Sequence, residues 1–381
     1  MTDPASSDVN GGLTRRAESR AGERLRAAIV GGGFMAEVHS RAIRAARAEV
    51  AGIVSSSAQR SADAAERLGA TRAYDSLDQL LVDDAIDVVH VTSPNALHAE
   101  QAAAVLAAGK DVVCEKPLAT TTADAEALVT AAEGRVATVP FIYRFHPMAR
   151  EARARFASGR AGSVLSINAS YLQDWLLGAG DDNWRVDSKQ GGRSRAFADI
   201  GSHLVDLVEF ISGDRVSRVS ATKRTVFAER AAHSSITTED AVAVVVETVS
   251  GALGTLLVSQ VAPGRKNRLW IEIAGSEESV AFDQEQPETL WVGRRAGSLL
   301  IPRDADQLSA DAARLCVVPS GHPQGYQDAF NAFIADSYAA IAGESPEGLP
   351  RFTDGLRAVR ITDAVLDSAE AGTWIEMGTE E

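Results

Sequence analysis

Short apolar runs alternate with alanine-rich stretches of helical period between Leu25 and Tyr143. Apolar runs without polar alternation are typical of strands buried on both faces of a parallel sheet. The predicted strands are Leu25–Val30, Val50–Ser55, Ile86–Thr92, Asp111–Cys114 and Val136–Phe141, and the predicted helices are Glu37–Arg47, Ser61–Leu68, Ala96–Ala108 and Ala123–Glu133. This order of strands and helices predicts βαβ units and a doubly wound dinucleotide-binding fold.

The pattern changes after Pro147, where β-rich segments follow one another with turn residues between them. The predicted strands are Val164–Gln173, Val216–Thr225, Asp240–Glu247, Leu253–Val261, Arg268–Ala274 and Ser279–Phe282. Thr248–Gly251 and Ala274–Ser276 are typical of hairpin turns, which favours an antiparallel sheet. Helices are predicted at Pro147–Ser158, Ser202–Ser212, Tyr326–Ala342 and Thr353–Ala371.

These two patterns predict an α/β domain followed by an α+β domain with an open, mainly antiparallel sheet. We expect a disordered tail at 1–22, a Rossmann domain at 23–143, and a substrate-binding and oligomerisation domain at 144–381. A chain of 381 residues is long enough for two domains with separate cores. Asp240–Val261 carries apolar residues on both faces, so we expect this sheet to mediate a homodimer or homotetramer.

Charge and targeting signals narrow the possible partners. The formal net charge is −14, which repels nucleic-acid backbones and anionic lipid surfaces, so neither is an expected partner. The arginines near the N-terminus are not followed by the apolar region of a signal peptide, and no apolar run approaches the length of a membrane span. Cys114 and Cys316 lie far apart in sequence, as expected for free thiols in a reducing compartment. These features predict a cytoplasmic protein.

A glycine-rich turn joins the first predicted strand to the first predicted helix. Residues 30–36 have the sequence VGGGFMA and fit Gly-x-Gly-x-x-Gly/Ala. The first glycine allows a tight turn, the second lets the backbone approach a diphosphate, and the small third residue lets helix and strand pack closely. The helix N-terminus then presents N–H groups to the phosphates. The motif predicts a dinucleotide cofactor in contact with Gly31, Gly33, Phe34 and Met35.

The end of the second predicted strand lacks the carboxylate that usually binds the ribose 2′-hydroxyl of NAD. Ser55, Ser56 and Ser57 occupy this place, and Arg60 follows them. The hydroxyls of Ser55 and Ser56 can bind an adenosine ribose, and Arg60 can pair with a 2′-phosphate. The alternative is that Arg60 is only the solvated start of a helix. This segment favours NADP over NAD.

Three further motifs carry candidate chemistry. Glu115-Lys116-Pro117 follows the fourth predicted strand, where doubly wound folds place residues that contact ligands. Tyr143–Pro147 closes the dinucleotide domain, and Asp199–Asp206 contains the spacing Asp-x-x-x-His. Together with the glycine turn, these motifs resemble the glucose–fructose oxidoreductase, inositol dehydrogenase and MocA-like family. The resemblance extends to the final helix at Phe352–Gly355.

The resemblance implies a Rossmann domain followed by an α+β domain, an NAD(P) cofactor, polyol or sugar substrates, and dimers or tetramers. It implies that Lys116, Asp199 and His203 surround the reacting carbinol. Glu115, Lys116 and Arg144 are expected to contact the cofactor as well. Residues 92–98 resemble the Thr-Pro-Asn-x-x-His loop of the family, which implies that the cofactor is lined by Thr92, Pro94, Asn95 and His98.

The residue types fit hydride transfer independently of the resemblance. Hydride loss from a carbinol requires its hydroxyl proton to leave, and histidine has a pKa near neutrality, so His203 is the expected general base. Asp199 precedes it by four residues and can orient the imidazole if both lie on one helix face. Lys116 can hold the substrate oxygen and stabilise its developing negative charge. The alternatives are that Asp199 only caps a helix and that His203 is a core histidine.

Several other residues are candidates for substrate binding. Arg144 is expected to reach the substrate or the cofactor, or else only to tie the two domains together. Trp184 and Arg185 resemble a Trp-Arg pair of the family that reaches toward the active site. Asp206 is expected to support His203. The basic stretch Gly191–Arg195 either favours an acidic sugar such as a uronate or lies on the surface.

The sequence therefore predicts an NAD(P)-dependent dehydrogenase that transfers a hydride between nicotinamide and a carbinol carbon of a sugar, sugar derivative or cyclitol. Two alternatives remain open: a non-catalytic dinucleotide-binding sensor, and a sugar–sugar oxidoreductase that retains its cofactor. The seven histidines are scattered and there is no cysteine cluster, so no metal site is predicted.

Overall fold

The computed structural model describes residues 24–378, and the predicted tail at 1–22 lies outside them. The described chain forms two compact units, each assembled from separated segments. The first unit contains the described residues up to 119, residues 123–140 and residues 330–356, and the second contains the other described residues. The predicted boundaries, 23–143 and 144–381, treat each domain as continuous. Residues 330–356 pack with the first unit through contacts between positions that are distant in sequence. No local sequence pattern indicates such contacts.

The first unit contains a six-stranded sheet in the order β3-β2-β1-β4-β5-β6, with every pair parallel. Its strands are β1 (Arg26–Val30), β2 (Glu49–Val54), β3 (Arg72–Tyr74), β4 (Val88–Val91), β5 (Asp111–Cys114) and β6 (Ala137–Thr138). The four central strands are almost entirely buried, as expected where helices cover both faces. The predicted doubly wound parallel sheet is confirmed.

Helices separate these strands along the chain. They are α1 (Phe34–Ala45), α2 (Ala58–Leu68), α3 (Leu77–Leu81), α4 (His98–Ala107) and α5 (Thr122–Ala131). β3 and α3 were not predicted from the sequence, because both are short and two of the three residues of β3 are exposed. β6 is shorter than the predicted strand, Val136–Phe141. Pro140 has no N–H with which to continue the hydrogen bonds of that strand.

The second unit contains a nine-stranded sheet in the order β14-β13-β12-β11-β7-β10-β9-β8-β15. Its strands are β7 (Val164–Leu172), β8 (Val216–Arg224), β9 (Ala241–Thr248), β10 (Leu253–Ser259), β11 (Arg268–Gly275), β12 (Ser279–Asp283), β13 (Thr289–Arg294), β14 (Gly297–Pro302) and β15 (Ile375–Glu376). β7 and β10 pair in parallel, and all other neighbours pair antiparallel. The predicted mainly antiparallel sheet is confirmed. β13 to β15 were not predicted from the sequence; β14 and β15 are edge strands with little buried surface.

Helices cover one face of this sheet. The remaining helices of the chain are α6 (Pro147–Ala157), α7 (Ser188–Gly191), α8 (Ser202–Ser212), α9 (Ala310–Ala313), α10 (Tyr326–Ile341) and α11 (Phe352–Ala371). α6 contacts β12 and β13, and α8 contacts β7 and β11. The other face exposes apolar side chains of β9 and β10, among them Val245, Leu253 and Leu257. Burial alternates along both strands although their residues are apolar on both faces.

Candidate active site

The glycine turn, residues 31–33, has the backbone geometry that a dinucleotide site requires. Gly31 has a φ of +108°, and a Cβ there would lie 2.8 Å from Thr92 Oγ1. A Cβ on Gly33 would meet no atom within 4 Å, and the next residue, Phe34, is 71% exposed. α1 begins at Phe34 and has no side-chain cap, so no capping side chain occupies its N-terminus, where Met35 lies in the first turn. This arrangement fits a diphosphate.

The end of β2 places the predicted serines beside Arg60. Ser57 caps α2 by accepting the Arg60 backbone N–H at 3.3 Å. The exposed Arg60 side chain turns back, and its Nη1 donates to Ser56 Oγ at 2.9 Å. Arg60 is therefore both the start of a helix and a cation held at the end of β2.

A second arginine, which the sequence analysis missed, contacts the glycine turn. Arg67 Nη2 donates to the backbone oxygen of Gly32 at 2.5 Å, from a position two helical turns after Arg60. Ser55 lies on the same side, because a Cβ on Gly32 would be 3.3 Å from Ser55 Oγ. The helical spacing from Arg60 to Arg67 was the available signal, since residues seven apart share a helix face.

The loop after β4 is held by its own polar groups. Thr92 Oγ1 donates to Val30 O at 2.9 Å, and Pro94 precedes a 3₁₀ turn that starts at the buried Asn95. Both ring nitrogens of His98 lie 2.8 Å from backbone oxygens, one of Ser93 and one of Pro117. Burial lowers the pKa of His98, against the opposing effect of these two oxygens. His98 thus links this loop to the loop after β5.

Lys116 lies at the same edge of the sheet. It is partly buried, and its backbone N–H donates to Glu115 Oε2 at 3.0 Å. Because β1, β4 and β5 are adjacent and parallel, their carboxyl ends bring together the glycine turn, Thr92 and Lys116. The strand order reverses between β1 and β4, which is where doubly wound folds bind ligands.

Asp199 and His203 belong to the second unit. Asp199 lies in a π-helical turn, Phe197–Gly201, that leads directly into α8, where His203 is the second residue. Asp199 Oδ2 accepts from Gln260 Nε2 at 2.8 Å, and its Oδ1 lies 3.7 Å from Arg185 Nε. The residue that precedes α8 as its N-cap is Gly201, so the capping alternative for Asp199 is wrong.

Buried aromatic hydroxyls lie beside His203, and the sequence analysis did not find them. The ring of Tyr143 packs edge-on against His203 with centroids 5.0 Å apart. The Tyr143 and Tyr171 hydroxyl oxygens are 2.5 Å apart, Tyr171 donates to Asn267 Oδ1 at 2.7 Å, and Asn267 Nδ2 donates to the Tyr143 oxygen at 3.1 Å. These bonds form a closed ring. Burial raises the pKa of both tyrosines, and the charge of Asp199 adds to the effect.

Arg144 forms a buried ion pair with Asp206. Its Nε donates to Asp206 Oδ2 at 2.9 Å, and its Nη2 donates to the other carboxylate oxygen. Both residues belong to the second unit. Asp206 therefore supports Arg144, and its expected support of His203 stays a prediction. The role of Arg144 toward substrate or cofactor stays a prediction.

Trp184 and Arg185 lie in a loop that buried charges hold in place. They form a 3₁₀ turn in which the Arg185 guanidinium stacks 4.4 Å from the centroid of the Trp184 ring. Arg230 donates to the backbone oxygens of Leu176, Gly178 and Asp181, at 2.8 to 3.0 Å. The loop that precedes Trp184 is thus fixed by one buried guanidinium.

Asp240 neutralises that guanidinium and a second one. It pairs with Arg230 at 2.7 Å and with Arg195, and all three side chains are fully buried. Burial opposes ionisation of Asp240, but the hydrogen bond and charge of Arg195, with the hydrogen bonds from the Val226 backbone N–H and from Arg230, outweigh it and hold the pKa of Asp240 below the usual value. On the surface, Arg193 pairs with three carboxylates, those of Asp363, Asp367 and Glu370. Both arginines of the basic stretch are therefore bound to carboxylates of the protein.

Residues 24–378 contain neither a metal-binding cluster nor a helix that could span a membrane. No group of three histidine, cysteine or acidic side chains there is arranged to bind a metal ion. Among the same residues, no helix is both long and apolar enough to span a bilayer.

Two family models match the chain. The model described as "Oxidoreductase family, NAD-binding Rossmann fold" matches residues 25–141, and the model described as "GFO/IDH/MocA C-terminal domain" matches residues 149–281. The two matches fall on the two regions that the sequence pattern distinguishes.

Named dehydrogenases are among the relatives of the chain. Levoglucosan dehydrogenase of Pseudarthrobacter phenanthrenivorans is 29% identical, over 93% of this chain and 98% of that protein. D-xylose 1-dehydrogenase (NADP(+)) 2 of Haloferax volcanii is 33% identical over a shorter region, 48% of this chain and 56% of that protein. A solved structure of levoglucosan dehydrogenase in complex with NADH and levoglucosan matches with a TM-score of 0.87 at 29% identity, over 93% of this chain and 99% of that chain. An oxidoreductase domain protein from Kribbella flavida matches with a TM-score of 0.87 at 34% identity, over 93% and 100%.

The buried pairing of Asp240 leads to a prediction about stability. Asp240→Asn leaves two buried guanidiniums without their counter-charge, and we expect it to lower the free energy of unfolding by about 3–5 kcal/mol. The control is Asp367→Asn, whose pair with Arg193 is half-exposed, with an expected change of about 0–1 kcal/mol. Denaturant unfolding followed by circular dichroism measures both.

The stability difference between wild type and Asp240→Asn depends on pH, and its direction follows from the pKa of Asp240. The pKa of Asp240 is lower in the folded protein than in the unfolded chain, so its contribution is present at neutral pH. That contribution is lost as the pH falls below about 4, near the unfolded value, and through the folded value. The stability difference between wild type and Asp240→Asn should therefore shrink in acid. Equal stability of Asp240→Asn and Asp367→Asn at neutral pH would contradict the assignment.

Proposed function

Because the chain belongs to the GFO/IDH/MocA oxidoreductase family, we propose that it is an NAD(P)-dependent dehydrogenase of sugars, sugar derivatives or cyclitols. The observation that carries the proposal is the shared carboxyl edge of β1, β4 and β5, which holds the glycine turn, Thr92 and Lys116. Relatives that are named for levoglucosan, D-xylose and scyllo-inositol support a polyhydroxylated substrate.

All residues of the cofactor site in this proposal except Arg144 belong to the first unit. The glycine turn and the N-terminus of α1 hold the diphosphate, and Ser55, Ser56 and Arg60 hold the adenosine ribose. The loop of Thr92, Pro94 and Asn95 lies along the nucleotide, and Glu115, Lys116 and Arg144 complete the predicted set. When bound, the nicotinamide ring supplies the hydride acceptor or donor.

In the proposed mechanism, three side chains act on the carbinol. In the oxidising direction His203 takes the hydroxyl proton while the carbinol carbon loses its hydride, and a carbonyl forms. The Lys116 ammonium donates a hydrogen bond to the substrate oxygen and stabilises its negative charge as the proton leaves. Asp199 stabilises the imidazolium, and its own carboxylate is oriented by Gln260. Trp184 and Arg185 bind the substrate.

The first experiment is an assay of reduced-nicotinamide absorbance with NAD and NADP, each offered with a panel of sugars, uronates, anhydrosugars and inositols. We expect turnover with at least one class. Lys116→Ala and His203→Ala should each lower kcat by about 100-fold or more, because each removes a group that acts on the proton or the charge. Dinucleotide affinity, measured by titration, should stay near the wild-type value.

Matched controls for these variants are the exposed residues Lys189 and His322, each replaced by alanine, which should keep the wild-type kcat. If either Lys116→Ala or His203→Ala kept wild-type turnover, that residue would leave the mechanism. Cofactor binding without turnover on the whole panel would favour the sensor or the enzyme that retains its cofactor.

We further propose that NADP is preferred over NAD. The structure of one relative is titled with NADH and another relative is named for NADP(+), so the preference depends on residues of this chain. Arg60 is exposed at the end of β2, where the ribose 2′-substituent lies in doubly wound folds.

Arg60→Ala should weaken NADP by roughly tenfold and NAD by much less, because an ionic hydrogen bond to a phosphate contributes about 1.5–3 kcal/mol. Dissociation constants for both dinucleotides, measured by calorimetry, test this, with the exposed Arg160→Ala as control. Equal losses of affinity for the two dinucleotides would mean that Arg60 is only part of the start of α2 and does not bind the 2′-phosphate.

The open face of the large sheet is the proposed surface of self-association. It presents Val245, Leu253 and Leu257 as exposed apolar side chains on neighbouring strands, which is typical of a protein interface. We propose a homodimer or homotetramer that forms through this face.

The double variant Val245→Asp, Leu257→Asp should shift the protein to monomers at micromolar concentration, because it places unpaired charges in the apolar interface. Light scattering coupled to size-exclusion chromatography measures the mass. Val249→Asp is the control, since Val249 is exposed in the turn between β9 and β10. A monomeric wild type would contradict the proposal.

A further inference from the structure

Four polar side chains form a continuous hydrogen-bonded chain inside the first unit. Glu115 Oε1 lies 3.2 Å from His39 Nε2, and His39 Nδ1 lies 2.7 Å from His90 Nδ1. His90 Nε2 lies 2.8 Å from the hydroxyl of Tyr338. The exposed fractions of the four residues are 5%, 0%, 0% and 6%. We call Glu115, His39, His90 and Tyr338 the buried relay.

The buried relay joins elements that are distant in sequence. His39 lies in the second turn of α1, the helix that begins at the glycine turn. His90 lies in β4, and Tyr338 is supplied by α10. Glu115 directly precedes Lys116, and its second oxygen accepts the Lys116 backbone N–H at 3.0 Å. The relay therefore connects the proposed diphosphate site with the strand end that carries the proposed catalytic lysine.

The direction of these hydrogen bonds follows from the carboxylate. An ionised carboxylate can only accept, so His39 Nε2 donates to Glu115. Burial raises the pKa of the Glu115 carboxyl, but the hydrogen bond from His39 and the charges of His39, Lys116 and His98 outweigh this effect and keep the pKa below its usual value. Where His39 Nδ1 accepts from His90 Nδ1, His90 Nε2 accepts from the Tyr338 hydroxyl.

The contact with Glu115 is the same for either direction of the bonds at His90. Burial lowers the pKa of His90 well below its usual value, so His90 stays neutral. A neutral imidazole carries one N–H, so His90 donates to one of its two neighbours and accepts from the other. His39 Nε2 donates to Glu115 whichever way these two bonds run, so the chain keeps the carboxylate oriented.

Stability alone does not account for such a chain in the core. Removing a carboxylate and two imidazoles from water is unfavourable, and apolar residues of similar volume stabilise a core at least as well. Fully satisfied polar networks fix one geometry, and they occur where that geometry matters.

We propose that the buried relay is a positioning network for Lys116. It fixes the Glu115 carboxylate, which binds the backbone of Lys116, and so holds the lysine in a set place relative to the glycine turn. His39, His90 and Tyr338 act through Glu115 and do not contact the substrate. This inference rests on the proposed role of Lys116.

A pair of variants at His39 tests the proposal. His39→Leu removes the donor to Glu115, whereas His39→Gln keeps an amide N–H of similar reach. We expect His39→Leu to lower kcat by about tenfold with a smaller change in the KM for the dinucleotide, because a misplaced group costs turnover more than binding. His39→Gln should recover most of the lost kcat. If His39→Gln is as slow as His39→Leu, or if His39→Leu keeps the wild-type kcat, the proposal is wrong.

A second pair keeps the test valid if His39→Leu does not fold. Tyr338→Phe removes the far end of the relay, and we expect it to lower kcat by roughly threefold, less than His39→Leu because it lies farther from Lys116. The matched control is Tyr74→Phe, since Tyr74 is equally buried in the same unit and donates to Asp83 at 2.7 Å outside the relay. Equal kcat values for the two variants would overturn the proposal.

Lys116→Ala, assayed in parallel, distinguishes a failure of the relay proposal from a failure of the proposed role of Lys116. An inactive Lys116→Ala with fully active His39→Leu and Tyr338→Phe overturns the relay and leaves the proposed function standing. An active Lys116→Ala overturns the role of the lysine, and the positioning network with it.

Discussion

The parallel pairing of β1 with both β2 and β4 is the constraint on which the first unit depends. Strand order runs in opposite directions from β1 and β4, so the chain segments that leave these strands diverge and an opening forms at the carboxyl edge. Gly31 turns at this opening so close to Thr92 that a methyl group would not fit. The pairing of β1 with β2 and β4 thus determines where the backbone can approach a diphosphate. It also places Lys116, which follows β5, at the same edge of the sheet.

The second unit fixes its candidate residues mainly by buried charge. Arg230 gives its donors to three backbone oxygens of the loop before Trp184, and Asp240 balances both Arg230 and Arg195. Loops are usually more mobile than the elements that they connect. Here a buried guanidinium bonds three backbone oxygens, so directed hydrogen bonds fix the path of the segment that leads to Arg185.

The sequence predicted the features that arise from local pattern or short spacing. The strands from β1 to β12 and the longer helices follow from periodicity, except for β3, and the glycine turn follows from its motif. Contacts between distant positions carried no such signal. Gln260 reaches Asp199 from 61 positions away, and Tyr171 meets Asn267 across 96. Strand order determines which residues meet at such separations, and strand order cannot be inferred from any short segment of the sequence.

The first unit is completed by residues 330–356, which supply Tyr338 as well as packing for β6. Its sheet strands have all been synthesised by residue 138, yet the unit lacks this segment until some two hundred further residues have been translated. During translation, domains generally fold from the N-terminus onward. The nucleotide-binding half of this protein cannot follow that order to its end, because its last core segment emerges from the ribosome after nearly all of the other half. The nascent chain therefore exposes an incomplete core for most of its synthesis. Chaperones that bind exposed apolar surface would act in this period.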